Sequence, residues 1–196
     1  MGDKLAGTRL VLFDLEKEMK LGRGPIREAL IKLDRTGLIK NIPYKGAIVA
    51  NPPTRKEISY IFDIRIDLEV KLAIEALSHI NEEQINELES LYTQMKNPGP
   101  NYYSLDRKFH NTIYDASGLS HLCMVVKKLI QSVETFLILY PQEKNVCLKF
   151  NEEHGRILEA VKAKNAEELK TVLAKNIKGG LEIIEKSFQK MMRIPN

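Results

Sequence analysis

The sequence predicts a mainly α protein in two parts, a small amino-terminal module followed by a larger antiparallel all-α helical bundle. Three observations carry this prediction. A short basic helix is written into Gly22 to Leu38, ending at a glycine. Asn51-Pro52-Pro53 interrupts the chain with residues that neither continue a strand nor enter a helix interior. After that break the apolar residues recur at helical spacing in segments joined by short connections, with no repeat and no low-complexity tract. The expected boundaries are 1–50 for the first module, 51–54 for a linker and 55–192 for the bundle.

At 196 residues and 43% hydrophobic content, the chain is long enough to bury a real core in each part. Residues 1–50 contain ten Lys and Arg against six Asp and Glu, so the whole formal excess of +4 lies there, and the remainder carries twenty of each sign. A basic module joined to a neutral one suits a nucleic-acid reader attached to something else. The two cysteines, Cys123 and Cys147, have neither paired nor metal-type spacing and imply no disulfide framework. No apolar run approaches the length of a membrane span, and the start lacks the layout of a secretory signal, so a cytoplasmic protein without a membrane partner is expected.

In the first module, Val11 to Lys20 is expected to form a helix with Leu12, Leu15 and Met19 on its inner face. A second helix should start near Pro25, which suits a first turn, with Gly24 as its cap. Ile26, Ala29, Leu30 and Leu33 make one apolar face, while Arg27, Glu28, Lys32 and Arg35 fall elsewhere, and Gly37 supplies a left-handed stop. Arg23 and Arg27 flank the amino end, where exposed backbone N–H groups favour phosphate.

Glu18 to Ile39, EMKLGRGPIREALIKLDRTGLI, resembles the second half of the winged helix-turn-helix of GntR-type bacterial transcription regulators, most specifically in its Arg-x-Pro-hydrophobic-Arg-Glu-Ala-Leu run. The family pattern continues through Leu38-Ile39-Lys40, Pro43-Tyr44-Lys45-Gly46 and Ala47-Ile48-Val49, which implies a two-stranded wing. The resemblance places Arg23, Gly24 and Arg27 at the major groove and Lys45 with Gly46 at the wing tip near the minor groove. Guanidinium groups can bond guanine edges bidentately, and any cation there gains from releasing counterions. The chain departs from the family in three residues: Glu16 for a small alanine, Lys20 for a turn glycine and Gly22 for serine. The family's further helix ahead of Leu5 has only four residues here, so the first helix is expected to be missing. A carboxylate at Glu16 costs stability unless it keeps contact with water.

Beyond the linker, Thr54-Arg55-Lys56-Glu57 has the form of a capping box opening a helix to about Ile80. Asn81 to Gln84 can cap a second helix, carrying Ile85, Leu88, Leu91 and Met95 and ended by Asn97 to Pro100. A third covers roughly 102–116, a fourth about 119–140 ending before Pro141, and a fifth about 146–164. Asn165 with Glu168 opens a last helix toward Met192, with a kink expected at Gly179-Gly180.

Polar residues interrupt the apolar stripes of three of these helices. Asp106 and His110 are four apart and share a face with Tyr102 and Ile113. His154 lies on a stripe with Phe150, Ile157, Leu158 and Val161, and Asn176 on one with Leu169, Val172, Leu173 and Gly180. Buried polar groups need partners, so these side chains either bond one another, reach water, or hold a divalent ion through a carboxylate and two imidazoles. The whole of Thr54 to Met192 resembles the helical FCD effector-binding domain of the FadR-type branch, through Arg65-x-x-x-Glu69, Asp106-x-x-Phe109-His110 and Glu153-His154-x-x-Ile157-Leu158-x-Ala160. The resemblance implies a divalent metal (Zn, Ni or Mn) on Asp106, His110 and His154. Asn176 takes the fourth position, where the family has another histidine. It also implies an anionic effector at Arg65, whose alternative role is an intrahelical pair with Glu69. His79 and His121 match nothing and are expected at the surface or at helix ends.

The function expected is a DNA-binding transcription regulator whose grip on double-stranded operator DNA changes when a small anionic effector, such as a carboxylate, binds the bundle. A homodimer would read a near-palindromic site. Two alternatives compete: a ligand-binding, dimerising relative that no longer grips DNA tightly, and a metal-dependent hydrolase. Against the hydrolase, no further carboxylate or histidine is placed as a general base, and Glu153 is expected to point away from the His154 stripe.

Overall fold

The computed structural model describes residues 4, 6–35, 37–42, 45–51, 53–139 and 144–191, with side chains described outside 134–145 and 187–191. The chain divides into two compact units, Met1–Thr54 and Arg55–Asn196.

The first unit contains β1 (Arg9–Leu10), α1 (Leu12–Met19), α2 (Arg23–Arg35), β2 (Ile39–Ile42) and β3 (Gly46–Val49). The wing is a three-stranded antiparallel sheet of order β1-β3-β2, with Arg9 opposite Ile48 and Ile39 opposite Val49. The expected two strands are both present; the third, two residues long, is too short to leave a period in the sequence. Gly46 makes it possible. Its φ is +97°, and a Cβ there would overlap the Leu10 carbonyl oxygen on β1, so only glycine admits the close strand approach.

The core of this unit is small: Leu10, Leu15, Ile26, Leu30, Ile39 and Ala47. Helix α2 starts at Arg23, two residues earlier than expected, so Gly24 lies inside the first turn rather than capping it. Pro25 is then the third helical residue, where an N–H still has no intrahelical acceptor and proline is tolerated. Of the expected apolar face only Ile26 and Leu30 are buried; Ala29 and Leu33 are exposed, as is Met19 on α1. A helix covered on one side by a two-turn neighbour and a narrow sheet buries a narrower stripe than its sequence offers. Lys20, where the turn would favour glycine, adopts the left-handed conformation at φ 54°, a strain of about 1–2 kcal/mol. Gly37 stops α2 at φ +76° as expected. Pro43 and Tyr44 of the wing turn lie outside the described residues, as does Pro52 of the linker.

The second unit is a bundle of α3 (Arg55–Ala76), α4 (Glu82–Met95), α5 (Tyr102–Asp115), α6 (Ser120–Leu139), α7 (Lys144–Lys162) and α8 (Ala166–Met191). Helix α3 stops at Ala76 rather than near Ile80, and the Leu77 and Ile80 side chains still turn into the core. The Asn81–Gln84 capping box opens α4, each side chain bonding the other's backbone N–H. Asn165 Oδ1 accepts from the Glu168 N–H at the head of α8. That helix runs unbroken through Gly179-Gly180; the pair produces no break because Phe150 packs against Gly179 and Phe62 against Gly180. Helix α8 packs between α3 and α7, and α4 lies against α5 and α7. Phe62, Leu72, Leu88, Phe109, Ile113, Ile157 and Leu173 are essentially fully buried between them. The expected stop at Pro141 and the end at Met192 lie outside the described residues.

Candidate functional site

Helices α5, α7 and α8 each contribute to one polar cluster within the bundle. Asp106 and His110, one turn apart on α5, meet His154 from α7, and one ligand atom from each lies within 4.8 Å of the others. His154 Nε2 stands 3.0 Å from Asp106 Oδ1 and 3.2 Å from His110 Nε2. His154 is fully buried and His110 nearly so, whereas the Asp106 side chain retains 32% of its exposure. Phe109 meets the His154 ring edge-on at 5.0 Å and holds its plane.

A second layer fixes the first. Tyr114, one turn beyond His110, donates its hydroxyl to Glu69 Oε2 at 2.6 Å and sits 3.2 Å from His110 Nδ1. A phenol has one proton, and the short bond to a carboxylate claims it, so His110 must be the donor to Tyr114. His110 Nε2 is therefore bare and faces the cluster. Burial, and then the charge on Glu69, push the Tyr114 phenol well above its ordinary range, which keeps that proton in place. The other Glu69 oxygen accepts from Arg65 Nε at 2.7 Å, and the Arg65 guanidinium lies 4.6 Å from the centre of the Phe62 ring. Both proposals for Arg65 thus meet in one geometry: it is paired with Glu69, and it lines the cavity.

The electrostatics follow from burial. Burial pushes the His110 imidazole down to about 4, with the Asp106 carboxylate opposing and the His154 and Arg65 charges reinforcing the shift. Burial also works against the Asp106 carboxylate, but the hydrogen bond and charge of His154, with His110 and Arg65, outweigh it and hold the carboxyl below the usual range. The bare His110 Nε2 and the Asp106 carboxylate oxygen therefore converge as acceptors on His154 Nε2. His154 Nδ1 has no hydrogen-bond partner among the described residues.

These residues fit a divalent ion. Bonds of about 2.0–2.2 Å bring neighbouring ligand atoms to roughly 3.0–3.6 Å of one another, and the two separations observed are 3.0 and 3.2 Å. Two imidazoles and a carboxylate suit a first-row metal, and the His110–Tyr114–Glu69 chain supplies the outer shell that orients a ligating histidine. Asp106 and His110 of the cluster line a cavity of about 90 Å³, room for a few waters or a small organic anion. Arg65 and Arg107 line it together with Tyr102, Phe150, Ile130 and Ile177.

Asn176, on α8, is buried beside the cluster. Its Nδ2 donates to Glu153 Oε2 at 3.2 Å, and Lys175 Nζ lies 3.4 Å from Glu153 Oε1. Glu153, expected to point away from the His154 stripe, is buried where α7 packs on α8 and bonds Asn176 and Lys175 there. Glu69 was legible only as an ion-pair partner, and Tyr114 was overlooked although it follows His110 by one turn on the same stripe. His79 and His121 are both exposed.

In the first unit, Arg23, Gly24, Arg27 and Lys45 are all exposed. Arg23 Nε donates to Glu16 Oε1 at 2.8 Å, so the carboxylate that replaces a small residue is neutralised at the helix contact. Arg27 lines a surface groove with Ile31, Asn41 and Ile42, between α2 and the strands. Gly46 is buried, and its requirement is conformational.

The FCD domain family matches residues 60–179. Over 171 residues the chain is 30% identical to the HTH-type transcriptional regulator YdhC of Bacillus subtilis, covering 84% of this chain and 75% of that protein. It is 24% identical over 191 residues to the HTH-type transcriptional regulator McbR of Escherichia coli, covering 94% and 86%. The solved structure of E. coli McbR/YncC superposes with a TM-score of 0.79 at 22% identity, over 95% of this chain and 91% of that one. Among the described residues of this chain, no helix is long and apolar enough to cross a membrane.

Proposed function

The chain belongs to the GntR family of transcription regulators, in the FadR-type branch that carries an FCD effector-binding domain, and from that premise we propose how its two units divide the work. The first unit binds double-stranded operator DNA through Arg23, Gly24 and Arg27 in α2 and through the turn at Lys45 and Gly46. The bundle binds a small anionic effector, a carboxylate, at Arg65 beside a divalent ion on Asp106, His110 and His154. The protein acts in the cytoplasm as a homodimer, because a pair of recognition helices about one DNA turn apart is what reads a near-palindrome. Exposed Met124 and Val125 on α6 and Tyr60 and Ile64 on α3 are apolar surface of the kind a second copy covers.

The observation that carries this proposal is a buried arginine lining one small cavity with Asp106 and His110, which converge with His154 behind them. Arg65 spends its Nε on Glu69, which leaves its two terminal nitrogens as the pair suited to a carboxylate. An ion held by Asp106, His110 and His154 would supply a Lewis-acidic anchor for a second oxygen of the effector. An effector that binds one dimer geometry better than another shifts operator occupancy by that difference in affinity. The ion serves binding rather than hydrolysis in this proposal. Glu153, the carboxylate next to His154 in sequence, is engaged by Asn176 and Lys175 and offers no general base.

The test is a metal and DNA titration on the purified protein. Wild type should retain a stoichiometric divalent ion that His154→Ala loses. Arg27→Ala should weaken operator binding about 10- to 100-fold and relax base preference at one position per half-site. Equal metal content in wild type and His154→Ala would remove the ion from this proposal, and unchanged gel-shift affinity for Arg27→Ala would remove the placement of α2.

A further inference from the structure

The carboxylate assigned to Arg65 leaves the rest of the effector open, and the cavity wall describes it. Four helices pass from a polar layer to an apolar one in the same direction. On α8 the wall runs from Asn176 to Gly180 and Ile183, one and two turns on, or about 6 and 10 Å along the axis. Helix α7 runs the opposite way: Glu153 meets Asn176 and Phe150 meets Gly179, so Phe150 and then Cys147 stand beside those same two turns. Tyr102, one turn before Asp106 on α5, donates its hydroxyl to the Cys147 carbonyl at 3.0 Å, which occupies its polar atom. Phe62, a turn before Arg65 on α3, packs on Gly180. The glycine pair that fails to kink α8 has its use here. A Cβ on Gly179 would stand 3.0 Å from the Phe150 ring and one on Gly180 3.4 Å from Phe62, so both rings close on bare backbone. Gly180 thereby leaves its part of the cavity wall without a side chain.

Resting on the carboxylate site of the preceding section, we propose that the effector is a short apolar monocarboxylate, with its head at Arg65, its hydrocarbon tail running along α8 past Gly180 toward Ile183, and its length set by Gly180 and Phe150. The charged side chains that line the cavity all belong to the head. Arg65, Glu69, Asp106 and Arg107 lie at the polar layer or beyond it, and among the described residues none lines the cavity a turn down. Arg107 follows Asp106 directly, so it stands level with the head, and it is exposed to water. A second carboxylate at the far end of the effector would therefore be desolvated without a cation to meet it, and a row of hydroxyls would lie against Phe150, Ile177 and Cys147 with few partners. A hydrocarbon tail gains from the same surface, about fourfold in affinity for each methylene buried.

The experiment is isothermal titration calorimetry on the full-length chain with one equivalent of Zn²⁺. Acetate, butyrate and hexanoate are compared with two acids of matched carbon number, succinate for butyrate and gluconate for hexanoate, and with butyramide, which is butyrate without its charge. Affinity should rise about fourfold per methylene from acetate until the cavity is full. Each alkanoate should bind at least about tenfold more tightly than its matched acid, and butyramide should give no heat. Gly180→Ala should weaken the best alkanoate about fourfold and leave acetate unchanged, while Phe150→Ala should move the optimum to a longer acid. If either variant fails to fold the other still reports, and the comparison in wild type needs neither. Succinate or gluconate bound as tightly as its matched alkanoate, or a chain-length profile unchanged in the variants, overturns the apolar tail and leaves the carboxylate site standing. Butyramide bound as tightly as butyrate, or no acid bound at all, overturns the carboxylate site and this inference with it.

Discussion

Removing the hydroxyl of Tyr114 isolates the tautomer argument, because Tyr114→Phe keeps the ring that stacks on His110 and deletes one oxygen. Two buried groups lose their partner at once: Glu69 Oε2, which accepts at 2.6 Å, and His110 Nδ1–H, which donates across 3.2 Å. An orphaned buried polar group costs about 1–3 kcal/mol, more when charged, so the variant should lose roughly 2–5 kcal/mol. For a unit of this size that is a fall in Tm of roughly 10 °C. The same change frees His110 to carry its proton on either nitrogen, and outer-shell losses of this kind weaken metal binding 10- to 100-fold. Urea unfolding followed by circular dichroism reads the first effect, and titration with a chromophoric chelator reads the second. A loss under about 0.5 kcal/mol together with unchanged metal affinity would refute the proton assignment on which the site's electrostatics depend.

Other expectations follow from single contacts. Gly46→Ala forces a side chain into the Leu10 carbonyl at a positive φ, so operator binding should vanish while the bundle keeps its metal affinity and helical signal; retained gel-shift affinity would show that β1 yields freely. Glu16→Gln releases Arg23 from a partly exposed ion pair at α1, and operator affinity should rise a few-fold with a salt slope steeper by about one unit, measured by fluorescence anisotropy at several ionic strengths. In metal-free protein His110 stays neutral down to about 4 while its unfolded counterpart protonates near 6.5. The unfolded state therefore binds more protons in that window, and stability should fall as pH drops through it, by about 3 kcal/mol in total. Denaturation midpoints at a series of pH values should flatten in His110→Gln, and parallel curves would contradict the burial of a neutral imidazole.

Turn and periodicity signals were readable because they are local. The Asn81 box, the Gly37 stop and the polar interruptions at Asp106, His110 and His154 all act within a turn or two of the residue that encodes them. The apolar face of α2 was over-read, since helical spacing shows which residues could be buried and not how much neighbouring structure exists to cover them. Ala29 and Leu33 stay exposed for that reason. Strand β1 left no signal because two residues have no periodicity, and the partners of Glu153 on α8 were not legible because helical phase speaks for one helix alone.

By itself the sequence determined a basic amino-terminal unit, an all-helical second unit, and the helix faces that carry Asp106, His110, His154 and Asn176. Tertiary structure alone decided that Asp106, His110 and His154 converge, that Tyr114 and Glu69 stand behind His110, and that Glu153 accepts from the Asn176 amide. The reason is physical. A helix's own hydrogen bonds and periodicity fix direction about its axis, whereas the distances between side chains on different helices depend on how ridges of one settle into grooves of the next, which no single segment encodes.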